Sequence, residues 1–322
     1  MQDFRKLVDI CRGKTVYIQT HNFPDPDAIA SAFGLQRLLA RFGIETSLCY
    51  DGKIDKLSAS KMLTAFPISM YSAAEAAEFL RPEDYILCVD SQKSSGNMTD
   101  FTGEEVAAID HHPTYTAIDY LYSDIQIVGA CATLITEYYE SLGLIPDPDA
   151  ASALLYGIKM DTLDFTRGVT ERDIQAFAFL FPYADSEKLS SLERNNLLAS
   201  DLVAYGAAIE HIYIQDYAGF SSIPFACPDA MIAILSDFIL SLVEVEVAVI
   251  YCNRPDGIRF SVRSERKDVH AGALIHSALS GIGDGGGHAE MAGGLIPAAR
   301  KAELGGDPDG EIRRRFLEIM GL

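Results

Sequence analysis

Four short segments in the first half of the chain place a carboxylate or an imidazole directly after an apolar run. His21-Asn22-Phe23-Pro24-Asp25-Pro26-Asp27 follows the run 15–19 (TVYIQ), and Asp90 closes 85–89 (YILCV). Asp110-His111-His112 closes 106–109 (VAAI), and Asp161 ends the helical run 154–160. Carboxylates gathered on one patch must take up protons or bind cations. A mixture of carboxylate oxygens and neutral imidazoles suits Mn²⁺, Fe²⁺, Co²⁺ or Zn²⁺, whereas an all-oxygen set would suit Mg²⁺ better. With this many candidate ligands two ions are expected rather than one. A pair roughly 3.5–4 Å apart can activate water and stabilise an in-line displacement at phosphorus.

Each segment alone has a plainer explanation. Asp-Pro-Asp occurs at 25–27, 147–149 and 307–309, and the last two read as turns or helix lead-ins because no histidine precedes them at matching spacing. A single aspartate after a strand, or at a helix end, is uninformative, and neighbouring histidines are often structural. Only the ordered combination points to chemistry.

That combination resembles the DHH phosphoesterase superfamily, named for its Asp-His-His motif. His21, Asp25, Asp27 and Ser31 fall at the spacing of the family's first motif, and Asp90 matches the second. Asp110-His111-His112 matches the third, and Asp161 within Gly157-Ile158-Lys159-Met160-Asp161-Thr162 the fourth. Gly285-Gly286-Gly287-His288 is similar to the signature of the family's associated substrate-binding domain, so the resemblance covers nearly the whole chain. It implies two divalent ions, Mn²⁺ first, with Mg²⁺, Co²⁺ or Fe²⁺ as alternatives. His21, Asp25 and Asp90 would hold one ion, and Asp27, Asp90, His111 and Asp161 the other, with Asp90 bridging. Catalytic roles are implied for Asp110, which supports the imidazoles, and for His112, which faces the substrate phosphate. Arg263, Ser264, Gly286, Gly287 and His288 are implied to bind substrate. Ala30 stands where this branch commonly has glycine, away from the ions. His270 replaces a frequent asparagine, and Met291 occupies a site usually small; both bear on base recognition.

These residues need elements to position them. Strand-like and helix-like runs alternate through the first half, with helical patterns at 27–41, 130–142 and 150–159. That alternation predicts an α/β fold, with a mainly parallel sheet flanked by helices and functional groups at the carboxyl ends of strands. Residues 190–212 read as one long helix. The expected organisation is a catalytic metal-binding domain over 1–189, a helical linker over 190–216 and a smaller α/β substrate-binding domain over 217–322. The site is expected in a cleft between the domains, with the linker as a hinge. In the second part, a helix at 230–241 precedes strands at 245–251 and 258–262, joined by a turn at Arg254-Pro255-Asp256-Gly257. Residues 254–267 hold Arg254, Arg259, Arg263, Arg266 and Lys267 against Asp256 and Glu265, a local basic excess. An arginine suits phosphate through paired hydrogen bonds, and the glycine run lets backbone N–H groups approach an anion.

Composition limits the partners. The 322 residues carry a formal charge of −20, with 48% hydrophobic and 22% charged residues, which excludes global disorder. A broad basic grip on a long nucleic-acid duplex is excluded as well. A substrate of a few nucleotides need only occupy the pocket. The nanoRNase (oligoribonuclease)/pAp phosphatase branch of the family fits best, implying short RNA, pAp or pApA-like nucleotides as substrates. A cyclic or linear dinucleotide phosphodiesterase is the alternative, and a catalytically inactive nucleotide-binding module a weaker one. Cysteines 11, 49, 88, 131, 227 and 252 form no C-x-x-C pair and read as reduced core residues. No run of signal-peptide length follows the N-terminus, and none reaches the roughly 18–20 apolar residues of a membrane span. A cytoplasmic protein without a membrane partner is expected. The oligomeric state stays open, a homodimer included.

Overall fold

The computed structural model describes residues 3–54, 57–114, 116–194 and 197–322. The chain divides into two units, Met1–Asn196 and Leu197–Leu322. In the first, strands β1 (Val16–Gln19), β2 (Thr46–Tyr50), β3 (Met70–Ser72), β4 (Tyr85–Val89), β5 (Glu104–Asp110) and β6 (Tyr122–Ile125) form a parallel sheet in the order β3-β2-β1-β4-β5-β6. β1 is buried along its whole length, and β4 and β5 nearly so. Such strands read as continuous apolar runs because both faces of the sheet are covered.

The two covers differ. Ile18, Leu87, Val89 and Ile109 join a large core with Phe33, Leu38, Ile135 and Leu154 from helices Pro26–Ala40, Cys131–Ser141 and Pro148–Asp161. On the other face, Tyr17 and Cys49 pack with Ala76 and Phe79 of the short helix Ala73–Phe79. Ile86, Cys88 and Ala108 lie under Met98, Phe101 and Tyr120. All six cysteines are free and buried.

The three Asp-Pro-Asp segments share one local device. Asp25, Asp147 and Asp307 are N-caps, each accepting backbone N–H bonds and followed by proline in the first turn of its helix. Proline suits that position because its missing N–H would have had no partner there. The motif is therefore a helix start in all three places, and in one of them it also sits at a strand end.

The second unit holds β7 (Ile212–Gln215), β8 (Ala218–Ile223), β9 (Val247–Arg254), β10 (Gly257–Ser264), β11 (Asp284–Gly287) and β12 (Met291–Pro297), in the order β11-β12-β10-β9-β8-β7. Only β8 and β9 run parallel. Ile258, Phe260 and Val262 face a core shared with helices Ala271–Leu279 and Pro308–Met320. Ala248, Ile250 and Cys252 pack on the opposite side with helix Asp229–Leu240. Among the described residues no helix is long and apolar enough to cross a membrane.

The long helix expected over 190–212 is instead two helices, Ser186–Glu193 and Asp201–Glu210, followed by β7. Part of that stretch, residues 195 and 196, lies outside the described residues. Arg194 is extended (φ −89°, ψ 157°), and Asp201 Oδ2 accepts the Leu198 N–H at 2.8 Å. Ser and Asp side chains compete for backbone groups in this way, which the apolar periodicity does not register.

Glycine at 272 is a packing requirement. A methyl there would lie 2.2 Å from the Gly287 carbonyl oxygen, whereas one at Gly286 meets nothing within 4 Å. Gly272→Ala is expected to lower stability by about 1–3 kcal/mol in urea unfolding, as overpacked sites do. Gly286→Ala should stay within about 0.5 kcal/mol. Equal effects would show that the glycine run is not set by this contact.

Candidate metal centre

The order of the first sheet reverses direction at β1, which lies between β2 and β4. Ligands in open parallel sheets collect beyond the carboxyl ends of strands at such a switch point. His21 follows β1, Asp90 follows β4, and Asp110 ends β5. Strand pairing brings the last two together, since Val89 is opposite Ile109 and the Asp90 N–H donates to the Ile109 carbonyl at 2.9 Å. Asp25 and Asp27 enter from the first turn of Pro26–Ala40, and Asp161 from the end of Pro148–Asp161.

These side chains meet in three overlapping groups. Ligand atoms of His21, Asp25 and Asp90 lie within 4.8 Å of one another. The same spacing holds for Asp27, His111 and Asp161, and for Asp90, His111 and His112. His21 Nε2 is 3.5 Å from Asp90 Oδ2 and 3.8 Å from Asp25 Oδ1. His111 Nε2 is 3.3 Å from Asp90 Oδ1, 3.3 Å from Asp161 Oδ2 and 3.9 Å from Asp27 Oδ2.

The imidazoles are oriented from behind. His21 Nδ1 is 2.8 Å from the Asn22 carbonyl oxygen, and His111 Nδ1 is 3.0 Å from that of Val128. A carbonyl only accepts, so each Nδ1 carries the proton. The Nε2 lone pairs can then face the carboxylates, the arrangement a metal-binding histidine needs. Asp90 is 2% exposed, and among the described residues its Oδ1 has no donor in hydrogen-bond geometry, only the ion-pair contact to His111 Nε2 at 3.3 Å. A buried carboxylate oxygen left this way is unfavourable unless a cation compensates it. Asp90 also has φ +54°, a left-handed conformation that aspartate tolerates better than most residues. The donor set and the orphaned oxygen both fit divalent ions.

The electrostatics agree. Burial opposes charge on His21, yet its contacts with Asp25 and Asp90 outweigh it and push the imidazole up to about 11. Burial likewise opposes charge on His111, and Asp90, Asp27 and Asp161 push it up to about 11. Asp27 is driven well above the usual carboxylate range by burial and then by the charges of Asp90 and Asp161. Asp161 is raised by burial against the pull of His111. Burial opposes ionisation of Asp90 too, but the two histidines hold it well below that range. Without cations the cluster stores protons; with them the protons become replaceable.

Several supporting contacts carry no signal in the sequence pattern. Asp27 caps the helix Cys131–Ser141 from more than 100 residues away, accepting the Cys131 N–H at 2.7 Å and the Ala132 N–H at 2.9 Å. Ala130, that helix's own N-cap, offers no side-chain bond. Asp173 fixes the preceding loop by accepting the Gly129 N–H at 2.9 Å and the Thr133 hydroxyl at 2.5 Å. Asp110 Oδ1 accepts the N–H of His111 at 2.8 Å and His112 Nδ1–H at 2.8 Å, while Gln92 Nε2 donates to its Oδ2 at 2.8 Å. The hydrogen bond to Asp110 raises the pKa of His112, which is half exposed. Arg167 donates to the Asp161 carbonyl at 2.8 Å and to Oδ1 at 3.3 Å. Ala30 packs against Gly157, where a methyl would lie 2.8 Å from the Ala30 Cβ.

In the second unit, strand order places Arg263 on β10 opposite Met291 on β12, and Gly287 on β11 opposite Ala292 on β12. Arg263 Nε donates to Asp237 Oδ1 at 2.6 Å. Arg254 pairs with Asp229, Arg259 with Asp256, and Arg266 with Glu246 and Asp268. The basic excess read from 254–267 is thus offset by Asp229, Asp237 and Glu246, which lie outside that window. Ser264, expected at the substrate, is 3% exposed; its hydroxyl donates to the Val269 carbonyl at 2.8 Å and accepts the Arg266 N–H at 3.3 Å. His288 is exposed, and Gly287 has φ +153°. A groove of about 590 Å³ runs along Arg259, Arg263, Gly285 and Gly293. His211 bonds the Ala207 carbonyl, His276 that of Gly285, and His270 caps the helix Ala271–Leu279.

Fold and site define a two-unit α/β protein with an acid–imidazole cluster at a parallel-sheet switch point. Residues 15–158 match the DHH family, N-terminal domain, and residues 217–305 match the DHHA1 domain. The chain belongs to the DHH family. It is 28% identical over 320 residues to an uncharacterised protein of Methanocaldococcus jannaschii, covering 95% of this chain and 64% of that protein. A probable manganese-dependent inorganic pyrophosphatase of Clostridium acetobutylicum is 28% identical over 217 residues, 64% of this chain and 66% of that protein. The chain thus spans just under two thirds of the length of these two relatives. The bifunctional oligoribonuclease and PAP phosphatase NrnA of Thermus thermophilus is 26% identical over 298 residues, 87% of this chain and 84% of that protein. The fold matches the crystal structure of an exopolyphosphatase-related protein from Bacteroides fragilis with a TM-score of 0.71 at 16% identity, covering 98% of this chain and 96% of that one.

Proposed function

We propose that this protein is a metal-dependent phosphohydrolase of small nucleotides, acting on short oligoribonucleotides, on 3′,5′-bisphosphate nucleotides such as pAp, or on both. The observation that carries the reading is Asp90, buried with an orphaned oxygen between two histidine-containing groups. His21, Asp25 and Asp90 would hold one ion, and Asp27, Asp90, His111 and Asp161 the second. Mn²⁺ is the ion proposed, in keeping with the mixed oxygen and nitrogen donors and with the manganese dependence named for the pyrophosphatase relative. When bound, such ions supply Lewis-acid charge and lower the pKa of water.

The chain's own residues do the rest. Asp110 fixes the His112 ring through Nδ1 and favours its protonated form, whose Nε2–H can donate a hydrogen bond to a phosphate oxygen. Gln92 keeps Asp110 in place. In the second unit, Arg263 exchanges its Asp237 partner for a substrate phosphate, with Gly286, Gly287 and His288 beside it. Ser264 shapes the turn after Arg263. The roles of 1–189, 190–216 and 217–322 as catalytic domain, linker and substrate domain belong to the same proposal, as does a cytoplasmic location.

Acidity supports short substrates, because a long polyanion meets repulsion beyond the pocket. Likeness to an oligoribonuclease and PAP phosphatase along most of both chains supports the nucleotide class. Cyclic or linear dinucleotides are a second reading of the same site, since they present the same phosphodiester between nucleosides.

A turnover panel tests this. It compares pAp, pApA, 5′-phosphorylated RNA of graded length, cyclic di-AMP and pyrophosphate with Mn²⁺ and with Mg²⁺. The expected result is Mn²⁺-supported turnover of pAp and pApA that declines as RNA lengthens. Fastest hydrolysis of pyrophosphate, or a 50-mer degraded as fast as a dimer, would overturn it.

A further inference from the structure

We propose that an open cavity beside His112 is a nucleoside site, holding the base and sugar joined through their 5′ oxygen to the scissile phosphate, the side that pAp lacks. The inference rests on the nucleotide substrate class proposed above. The cavity measures about 470 Å³, within the roughly 300–1,000 Å³ of ordinary ligand sites. It lies past the carboxyl ends of β4 and β5 and along β6, the last strand of the sheet.

Charge decides which part of a nucleotide belongs there. Among the described residues no lysine or arginine lines the cavity; Arg172 stands behind its wall, bonded to Gln126 Oε1 at 2.9 Å, and the lining carboxylate Asp124 is buried and accepts the Tyr138 hydroxyl at 2.7 Å. A phosphate there would meet a carboxylate in the lining and no lining cation. An uncharged heterocycle with its sugar would meet the hydroxyls of Thr114, Thr116 and Ser123 and the ring of Tyr120. Aromatic stacking and a few hydrogen-bonding groups are the means by which single nucleosides are held.

Gln92 ties this cavity to the site. It is 4% exposed and lines the cavity, yet its Nε2 donates to Asp110 Oδ2 at 2.8 Å and to the His112 carbonyl at 3.1 Å. Both partners only accept, so the amide nitrogen must face them. The amide oxygen is thereby turned away from them and accepts no hydrogen bond among the described residues. It is an acceptor suited to an N–H of a base. One side chain thus braces Asp110 and His112 with its nitrogen and offers its oxygen to the ligand.

The test fills the cavity at its rim. Ala117 and Thr116 are exposed lining residues, so Ala117→Trp and Thr116→Trp can each place an indole in the cavity. Circular dichroism and thermal melting establish that both variants fold. With Mn²⁺ present, kcat and KM are measured for pApA, which has a nucleoside on each side of its phosphodiester, and for pAp, which has one. The KM ratio of pApA to pAp is expected to rise about ten-fold in both variants, the scale of one lost stacking contact. An unchanged ratio in both folded variants overturns the proposal. If the wild type fails to turn over either substrate, the proposed function fails at that point, and titration with adenosine decides the cavity instead. Saturable adenosine binding weakened about ten-fold by both substitutions supports it. Equal binding in wild type and variants, or none, overturns it.

Discussion

Asp90→Asn is expected to reduce metal-dependent turnover by about 10³-fold or more, equivalent to roughly 4 kcal/mol of lost transition-state stabilisation. The other candidate ligands each serve mainly one side of the cluster, but Asp90 reaches both, with Oδ2 toward His21 and Oδ1 toward His111. Losing its charge removes the group that links His21 and Asp25 to His111. The backbone complicates the choice of variant. Asp90 has φ +54°, where alanine pays roughly 1–2 kcal/mol but asparagine fits comfortably. Asp90→Asn therefore keeps the shape and the fold while removing the charge, and Asp90→Ala adds strain. Metal content by elemental analysis, kcat/KM with Mn²⁺ and circular dichroism separate the cases. Wild-type turnover with an unchanged metal content in folded Asp90→Asn would rule out the shared carboxylate.

The sequence displays the site because buried parallel strands read as short apolar runs, and chemistry sits where those runs stop. Asp90 and Asp110 are adjacent in space for that reason alone. The runs 85–89 and 15–19 end within a residue of β4 and β1. β2, β3 and β6 escape notice because each mixes polar with apolar side chains (TSLCY, MYS and YSDI), and β3 has only three residues. Contacts made by tertiary folding are the larger loss. Nothing near Cys131 announces that Asp27 will cap its helix, and a window drawn around Arg263 omits Asp237 on another element. Local charge counts fail in folded proteins because ion pairs form across elements. The glycine triplet shows a related limit. Gly287 is pressed against Gly272, and Gly285 against Ile275, so two of the three glycines answer to packing, while Gly286 alone stands open.

Metal binding should release protons, and its stabilising effect should grow with pH. His21 and His111 are pushed up to about 11 in the metal-free fold, against about 6.5 unfolded. Their contribution is fully present below about pH 6.5 and is lost progressively as pH rises toward 11. Asp27 and Asp161, raised above the unfolded value of about 3.9, favour the protonated fold and so oppose folding once pH exceeds that value. Asp90 acts the other way; its depressed pKa stabilises the fold above about pH 3.9 and loses that effect only in acid. The metal-free protein should therefore weaken between pH 6.5 and 8.5. An ion must displace the Nε2 proton of each histidine it uses, so its affinity gains up to about ten-fold per pH unit for each proton displaced, or about 1.4 kcal/mol. For a unit of this size that is roughly 3–6 °C in Tm per pH unit and proton. Melting at pH 6.5, 7.5 and 8.5, in EDTA and in a fixed excess of Mn²⁺, should show a gap between the two curves that widens with pH. Titration of Mn²⁺ into weakly buffered protein with a pH indicator should acidify the solution. A gap that narrows as pH rises, or metal binding without acidification, would mean that His21 and His111 do not exchange protons for ions.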